Sequence, residues 1–209
     1  MVTLAIQAGG QSRRMGRDKG LVPLAGRPLI SHVIERTAHL GDDVLITTNQ
    51  PEAYSFLGFP MASDPVPGAG SLAGLHTALQ AARGDTVVVL ACDMPFVSAP
   101  LLEYMLSLSS EADVVIPLRD GEYEPLHAVY RRACLAPLES ALAAGEKRMI
   151  SFFPYVRVQP VESDDLDRFD PRGMSFFNVN TPAELEMAER LYRSQASTGR
   201  GRPPGRREA

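Results

Sequence analysis

Thr86-Val87-Val88-Val89-Leu90-Ala91, followed at once by Cys92-Asp93-Met94-Pro95, is the stretch on which the fold turns. A continuous β-branched run without polar alternation is expected of a strand buried on both faces, the setting of a parallel sheet covered by helices. Its abrupt end in Asp93 places one carboxylate at the C-terminal edge of such a sheet, where open α/β sheets bind their ligands. Working outward, Thr3 to Ile6, Val44 to Thr48 and Asp113 to Pro117 read as further strands. Leu29 to Leu40, Leu72 to Ala82 and Ala99 to Leu108 carry apolar residues at helical spacing, with Pro100 in a first turn that tolerates it. Strands alternating with helices predict an α/β protein with a mostly parallel central sheet.

The second half is less regular. Glu124 to Tyr130 reads as a strand and Leu135 to Ala144 as a helix ended by Gly145. Asn180-Thr181-Pro182 opens a terminal helix, with Thr181 as N-cap, Pro182 in the first position and Glu184 reaching back, running to about Tyr192. Residues 1–193 are read as one domain. Residues 194–209, rich in Gly, Pro and Arg, are read as a disordered tail.

Composition narrows the function. The 209 residues are 44% hydrophobic and 22% charged, an ordinary globular profile. The net charge is −4, but the tail carries four arginines against Glu208, leaving the body at about −7. An acidic body argues against nucleic acid as a partner. Cys92 and Cys134 form no CxxC pair, and the four histidines show no HxH or HExxH spacing. Neither a zinc site nor a disulfide framework is expected. No signal peptide or membrane span is read at the N-terminus or in the short apolar runs, so the expected location is cytoplasmic, without a membrane partner.

The chemistry concentrates in Ala8-Gly9-Gly10-Gln11-Ser12-Arg13-Arg14-Met15-Gly16-Arg17-Asp18-Lys19, directly after the first strand. Paired glycines allow close backbone approach and let successive amides face phosphate oxygens. Arg14 and Lys19 add full positive charges suited to a triphosphate. The loop is neither a P-loop, since no Lys-Ser or Lys-Thr follows at the required spacing, nor a G-x-G-x-x-G dinucleotide fingerprint. Asp93, as a hard oxygen donor, could hold Mg2+ together with phosphate oxygens. Asp18 reads as a loop partner, and His127, within an apolar stretch, as a structural histidine.

The run from Ala8 to Lys19, continued by Gly26-Arg27-Pro28-Leu29-Ile30, resembles the molybdenum cofactor guanylyltransferase family. So do Asp93-Met94-Pro95-Phe96-Val97, Glu124-Pro125-Leu126-His127-Ala128-Val129-Tyr130, Gly145-Glu146-Lys147-Arg148-Met149 and Phe177-Asn178-Val179-Asn180-Thr181-Pro182. The resemblance implies a three-layer, Rossmann-like nucleotidyltransferase fold and a Mg2+-dependent, GTP-binding transferase of molybdenum cofactor biosynthesis. Such an enzyme moves GMP from GTP to the terminal phosphate of molybdopterin and releases pyrophosphate. It implies catalytic roles for Arg14, Lys19 and Asp93, with Asp93 as metal ligand. Nucleotide contacts fall on Gln7, Ala8, Gly9, Gly10, Ser12, Lys19, Thr47, Asp64, Gly74 and Asp93, and acceptor contacts on Arg148, Asn178 and Asn180. Cofactor-delivery proteins or molybdoenzyme chaperones are implied as partners. Gln7, Ser71 and Thr47 depart from the family's frequent Leu, Pro and Asn. A CTP-dependent or sugar-phosphate nucleotidyltransferase and a non-catalytic nucleotide sensor remain alternative readings.

Overall fold

The computed structural model describes residues 1–8, 18–64 and 70–198, the last four of them without side chains. The expected central strand, β6 (Thr86–Ala91), is buried at every position. Seven strands form the main path of one sheet. They are β1 (Val2–Gln7), β4 (Asp43–Thr47), β5 (Met61–Ala62), β6, β7 (Val114–Arg119), β9 (His127–Arg131) and β10 (Val158–Val161), in the order β10-β7-β9-β6-β1-β4-β5. β8 (Glu122–Tyr123) pairs with β7, and β2 (Pro23–Leu24) with β3 (Arg27–Pro28) makes a separate hairpin. β1 runs parallel to both neighbours, with Ile6 opposite Ile46 and Leu90. β4 and β5, and β7 and β10, are also parallel; β9 lies antiparallel between β6 and β7.

Strand periodicity decides which helix covers which face. Leu4, Ile6, Val88, Leu90 and Val129 point to the layer that holds Ile30 and Val33 of α1 (Leu29–Thr37) and Leu101, Leu102 and Met105 of α4 (Ala99–Leu108). Ala5, Val87, Val89, Ala128 and Tyr130 point to the other, against α3 (Ser71–Ala81) and α5 (Leu135–Ala143). The sequence therefore makes three layers, as expected. A smaller cluster of Val22, Leu24, Leu29, Phe96, Val179 and Ala188 seats the terminal helix α7 (Pro182–Thr198). Short helices α2 (Pro51–Tyr54) and α6 (Ser163–Phe169) complete the set.

Two expectations are corrected. The strand expected from Glu124 begins only at His127, because Pro125 has no N–H for a ladder. The His127 amide donates to the Glu124 carbonyl at 2.9 Å and the Tyr130 hydroxyl to that of Pro125 at 2.8 Å, closing a turn. The terminal helix passes Tyr192 and reaches Thr198, so its last turns take in residues assigned to the tail. The remainder of that tail, 199–209, lies outside the described residues.

Leu90 is fully buried between β1 and β9. Leu90→Ala is expected to cost about 2–5 kcal/mol in denaturant unfolding, because a packed site between strands collapses little. A cost below 1 kcal/mol would contradict the packing described.

Candidate active site

The parallel pairing of β1 with β6 sets Gln7 opposite Ala91, so the two strands end side by side. The Cys92 amide donates to the Gln7 carbonyl at 3.1 Å, and that of Ala8 to the Thr47 carbonyl at 2.8 Å. The residues expected to wrap phosphate, Gly9, Gly10, Ser12 and Arg14, lie outside the described residues. At Asp18 the chain is held firmly. The Asp18 carboxylate accepts from the Tyr54 hydroxyl at 2.5 Å and from the Gly20 amide at 3.1 Å, capping the short turn Lys19–Leu21. Asp18 is thus a loop partner, as expected. Burial pushes the Tyr54 phenol well above its ordinary range, so it stays a donor. A side chain at residue 20 would stand 2.5 Å from the Tyr54 oxygen and 3.2 Å from Cys92 Sγ, so glycine is required for the turn to sit this close to β6.

That turn aims Lys19. Its Nζ lies 3.1 Å from Asp93 Oδ2 and also donates to Asn180 Oδ1. Asp93 is only 8% exposed. The Val179 amide donates to the Asp93 carbonyl at 3.0 Å, tying the entry of α7 to the end of β6. Asn180 is steadied in turn by the cap of α7. Its amide donates to Glu184 Oε2 at 2.7 Å, while the Glu184 amide donates to Thr181 Oγ1 at 3.2 Å. Two oxygen acceptors from distant parts of the chain thus converge on one ammonium group. Among the described residues no group of three or more His, Cys, Asp or Glu is placed to hold a metal ion by itself. A divalent metal here would take Asp93 and draw its other ligands from substrate oxygens and water, the usual habit of Mg2+ with phosphates.

Asp93 opens onto a cleft of about 520 Å³ that also reaches Ser71, Glu124, Arg148, Asn178 and Asn180. All three expected acceptor residues therefore share one cavity with the expected metal ligand. Of the expected nucleoside residues, Thr47 and Asp64 lie the other way along the sheet edge. Thr47 ends β4 with its side chain closed in, and Asp64 follows β5. The sequence reading missed Asn49, which is exposed just past β4 and accepts the Asp64 amide at 2.9 Å through Oδ1. Gly74, one turn into α3, meets the Gln7 carboxamide: a Cβ there would approach Gln7 Nε2 to 3.2 Å. That Nε2 is buried without a hydrogen-bond partner among the described residues.

Glu124 and Arg119 were also missed, since Glu124 read as part of a strand. Arg119 Nη1 bonds Glu124 Oε1 at 3.2 Å, and the guanidinium lies 4.5 Å over the Phe176 ring. Burial raises the Glu124 carboxyl and Arg119 opposes that rise. His127 stands behind the cleft, fully buried, its ring 4.9 Å from that of Phe176 and both nitrogens unpartnered among the described residues. Burial lowers it to about 4, against a smaller opposing pull from Asp170.

A family model described as the MobA-like NTP transferase domain matches residues 4–159, which gives the class: a nucleotidyltransferase. The probable molybdenum cofactor guanylyltransferase of Pelotomaculum thermopropionicum is 36% identical over 198 residues, 95% of this chain and 96% of that one. The molybdenum cofactor guanylyltransferase of Pseudomonas entomophila is 39% identical over 172 residues, 78% and 90% of the two chains. Among solved structures, molybdopterin-guanine dinucleotide biosynthesis protein A of Archaeoglobus fulgidus superposes with a TM-score of 0.79 at 31% identity, covering 92% of this chain and 99% of that one. The chain belongs to the molybdenum cofactor guanylyltransferase family.

His127 makes a pH prediction. The unfolded ring takes its proton near 6.5 and the folded ring only near 4, so between these values the unfolded state binds more protons and stability falls as pH drops. Wild type should lose up to about 1.4 kcal/mol per pH unit more than His127→Phe across that window, measured by denaturant unfolding. Parallel curves for the two proteins would show that the folded ring takes its proton as readily as the unfolded one.

Proposed function

We propose that this chain transfers GMP from GTP to the terminal phosphate of molybdopterin, releasing pyrophosphate and forming the guanine dinucleotide form of the cofactor. The observation that carries the proposal is the convergence of Lys19, Asp93 and Asn180 at the mouth of a cleft large enough for an acceptor. Relatives of nearly equal length that carry the guanylyltransferase name support it.

The acceptor phosphate is already ionised at neutral pH and can attack the α-phosphorus of GTP in line, so the chain need supply no general base. Its contribution is alignment and neutralisation of charge. Arg14 and Lys19 are assigned to the β- and γ-phosphates, with the amides of Gly9 and Gly10 and the Ser12 hydroxyl around them. Gln7, Ala8, Thr47, Asp64 and Gly74 are assigned to the nucleoside side, and Arg148, Asn178 and Asn180 to the acceptor. Asp93 would hold Mg2+, which when bound would neutralise charge on the phosphate oxygens. As phosphates enter, Lys19 exchanges Asp93 and Asn180 for phosphate oxygens, freeing both side chains for the metal and the acceptor. A cytoplasmic setting and hand-over to cofactor-delivery proteins or molybdoenzyme chaperones belong to the same proposal. Among the described residues no helix is long and apolar enough to cross a membrane.

Pyrophosphate release with molybdopterin and Mg2+ should prefer GTP over CTP, ATP and UTP. A preference for CTP would overturn the base assignment. Folded protein that binds GTP without any turnover would point to the nucleotide sensor instead. Asp93→Asn should lower turnover about 10²- to 10³-fold with its fold intact; near-normal turnover would remove Asp93 from the chemistry.

A further inference from the structure

The cleft beside Asp93 has two chemically different ends. Lys19 lies against Asp93 at the end of β6, while Glu122 and Glu124 line the cleft where β8 runs into β9; Arg148 also lines it. Tyr123 and Met149 supply apolar wall. A ligand matched to this division carries an anionic group at one end and a flat ring rich in N–H donors at the other.

Glu124 is the better-defined of the two acids. Its Oε1 is held by Arg119, itself stacked on Phe176, so the carboxylate is braced from behind. Its Oε2 has no hydrogen bond among the described residues. The group is half-buried, and burial outweighs Arg119 in raising its carboxyl. A carboxylate drawn partly out of water and only half satisfied gains most from two parallel N–H donors, the complement of its two oxygens.

We propose that Glu124 recognises the 2-amino-4-oxopyrimidine edge of the pterin acceptor, accepting from the ring N–H and the exocyclic amino group, with Arg119 as the residue that positions it. This rests on the molybdopterin reading above. Guanine carries the same edge, so the nucleotide is the other source of that chemistry. Strand order separates the two. Asp64 and Asn49 follow β5 and β4 on one side of β1, whereas Glu124 precedes β9 on the far side of β6, in the cavity of Asn178 and Asn180. Glu124 is therefore assigned to the acceptor ring.

The test needs no turnover. Binding of 6-(phosphooxymethyl)pterin is followed by its fluorescence and compared with the lumazine counterpart, in which oxo replaces the 2-amino group. Wild type should prefer the pterin by about 10- to 100-fold, the range of charge-assisted hydrogen bonds. Glu124→Gln, which keeps the shape but turns N–H donors toward the pterin's donors and toward lumazine's 2-oxo group, should erase or reverse that preference and leave GTP affinity unchanged. A preference that survives Glu124→Gln, or a wild type that shows none or binds neither ring, overturns the proposal. Weakened GTP binding in Glu124→Gln also overturns it, by assigning the carboxylate to guanine. Failure of the transfer reaction with a Glu124-dependent pterin preference intact would bring down the functional reading and leave this one standing.

Discussion

One ammonium group holds the site together. Lys19 reaches from the turn after β1 to a carboxylate at the end of β6 and to an amide oxygen at the entry of α7, joining segments more than 70 and 160 residues apart in sequence. The junction depends on the sheet, because parallel β1 and β6 in register bring the ends of both strands to the same edge. It depends also on the packing of Tyr54, Gly20 and Cys92, which seats the Lys19 turn against β6. The helix cap at Thr181 and Glu184 supplies the third side.

The energetics favour a positional role for this contact over a stabilising one. The Lys19 side chain is 31% exposed and that of Asp93 11%, so solvent screens part of the attraction while Asp93 still loses much of its hydration. A carboxylate this enclosed needs a cation close by, and under the proposed function Lys19 and a metal would take that place in turn. Such an exchange is useful where a triphosphate arrives with its own metal and negative charge. Asp18, the neighbouring acid, is committed to Tyr54 and the Gly20 amide and so is removed from that exchange.

Much of this was legible in the sequence because single residue types force the result. An unbroken run of Val and Leu has no polar face to offer water, so Thr86–Ala91 had to be central. Thr181, Pro182 and Glu184 each favour a helix start for a different reason, and all three act there. The family match agrees with the resemblance read from the glycine loop and the Asp93 and Asn180 motifs. Other parts were hidden because tertiary context decided them. β10 carries a proline and a glutamine at the sheet edge, so its strand character comes from pairing with β7 rather than from its own pattern. Pro125 converted the expected start of β9 into the turn that presents Glu124. Asn49 and Arg119 matter through the partners they meet across the fold, which no local spacing discloses.

The central claim is that Asp93 is where a cation sits, with Lys19 occupying that place until substrate comes. Mn2+ uptake by electron paramagnetic resonance, with and without GTP, tests it directly in wild type, Asp93→Asn and Lys19→Met. With GTP present, Asp93→Asn should hold Mn2+ more weakly than wild type, and Lys19→Met should bind Mn2+ more tightly than wild type when GTP is absent. Metal uptake indifferent to Asp93, or weakened by Lys19→Met without nucleotide, would contradict the account.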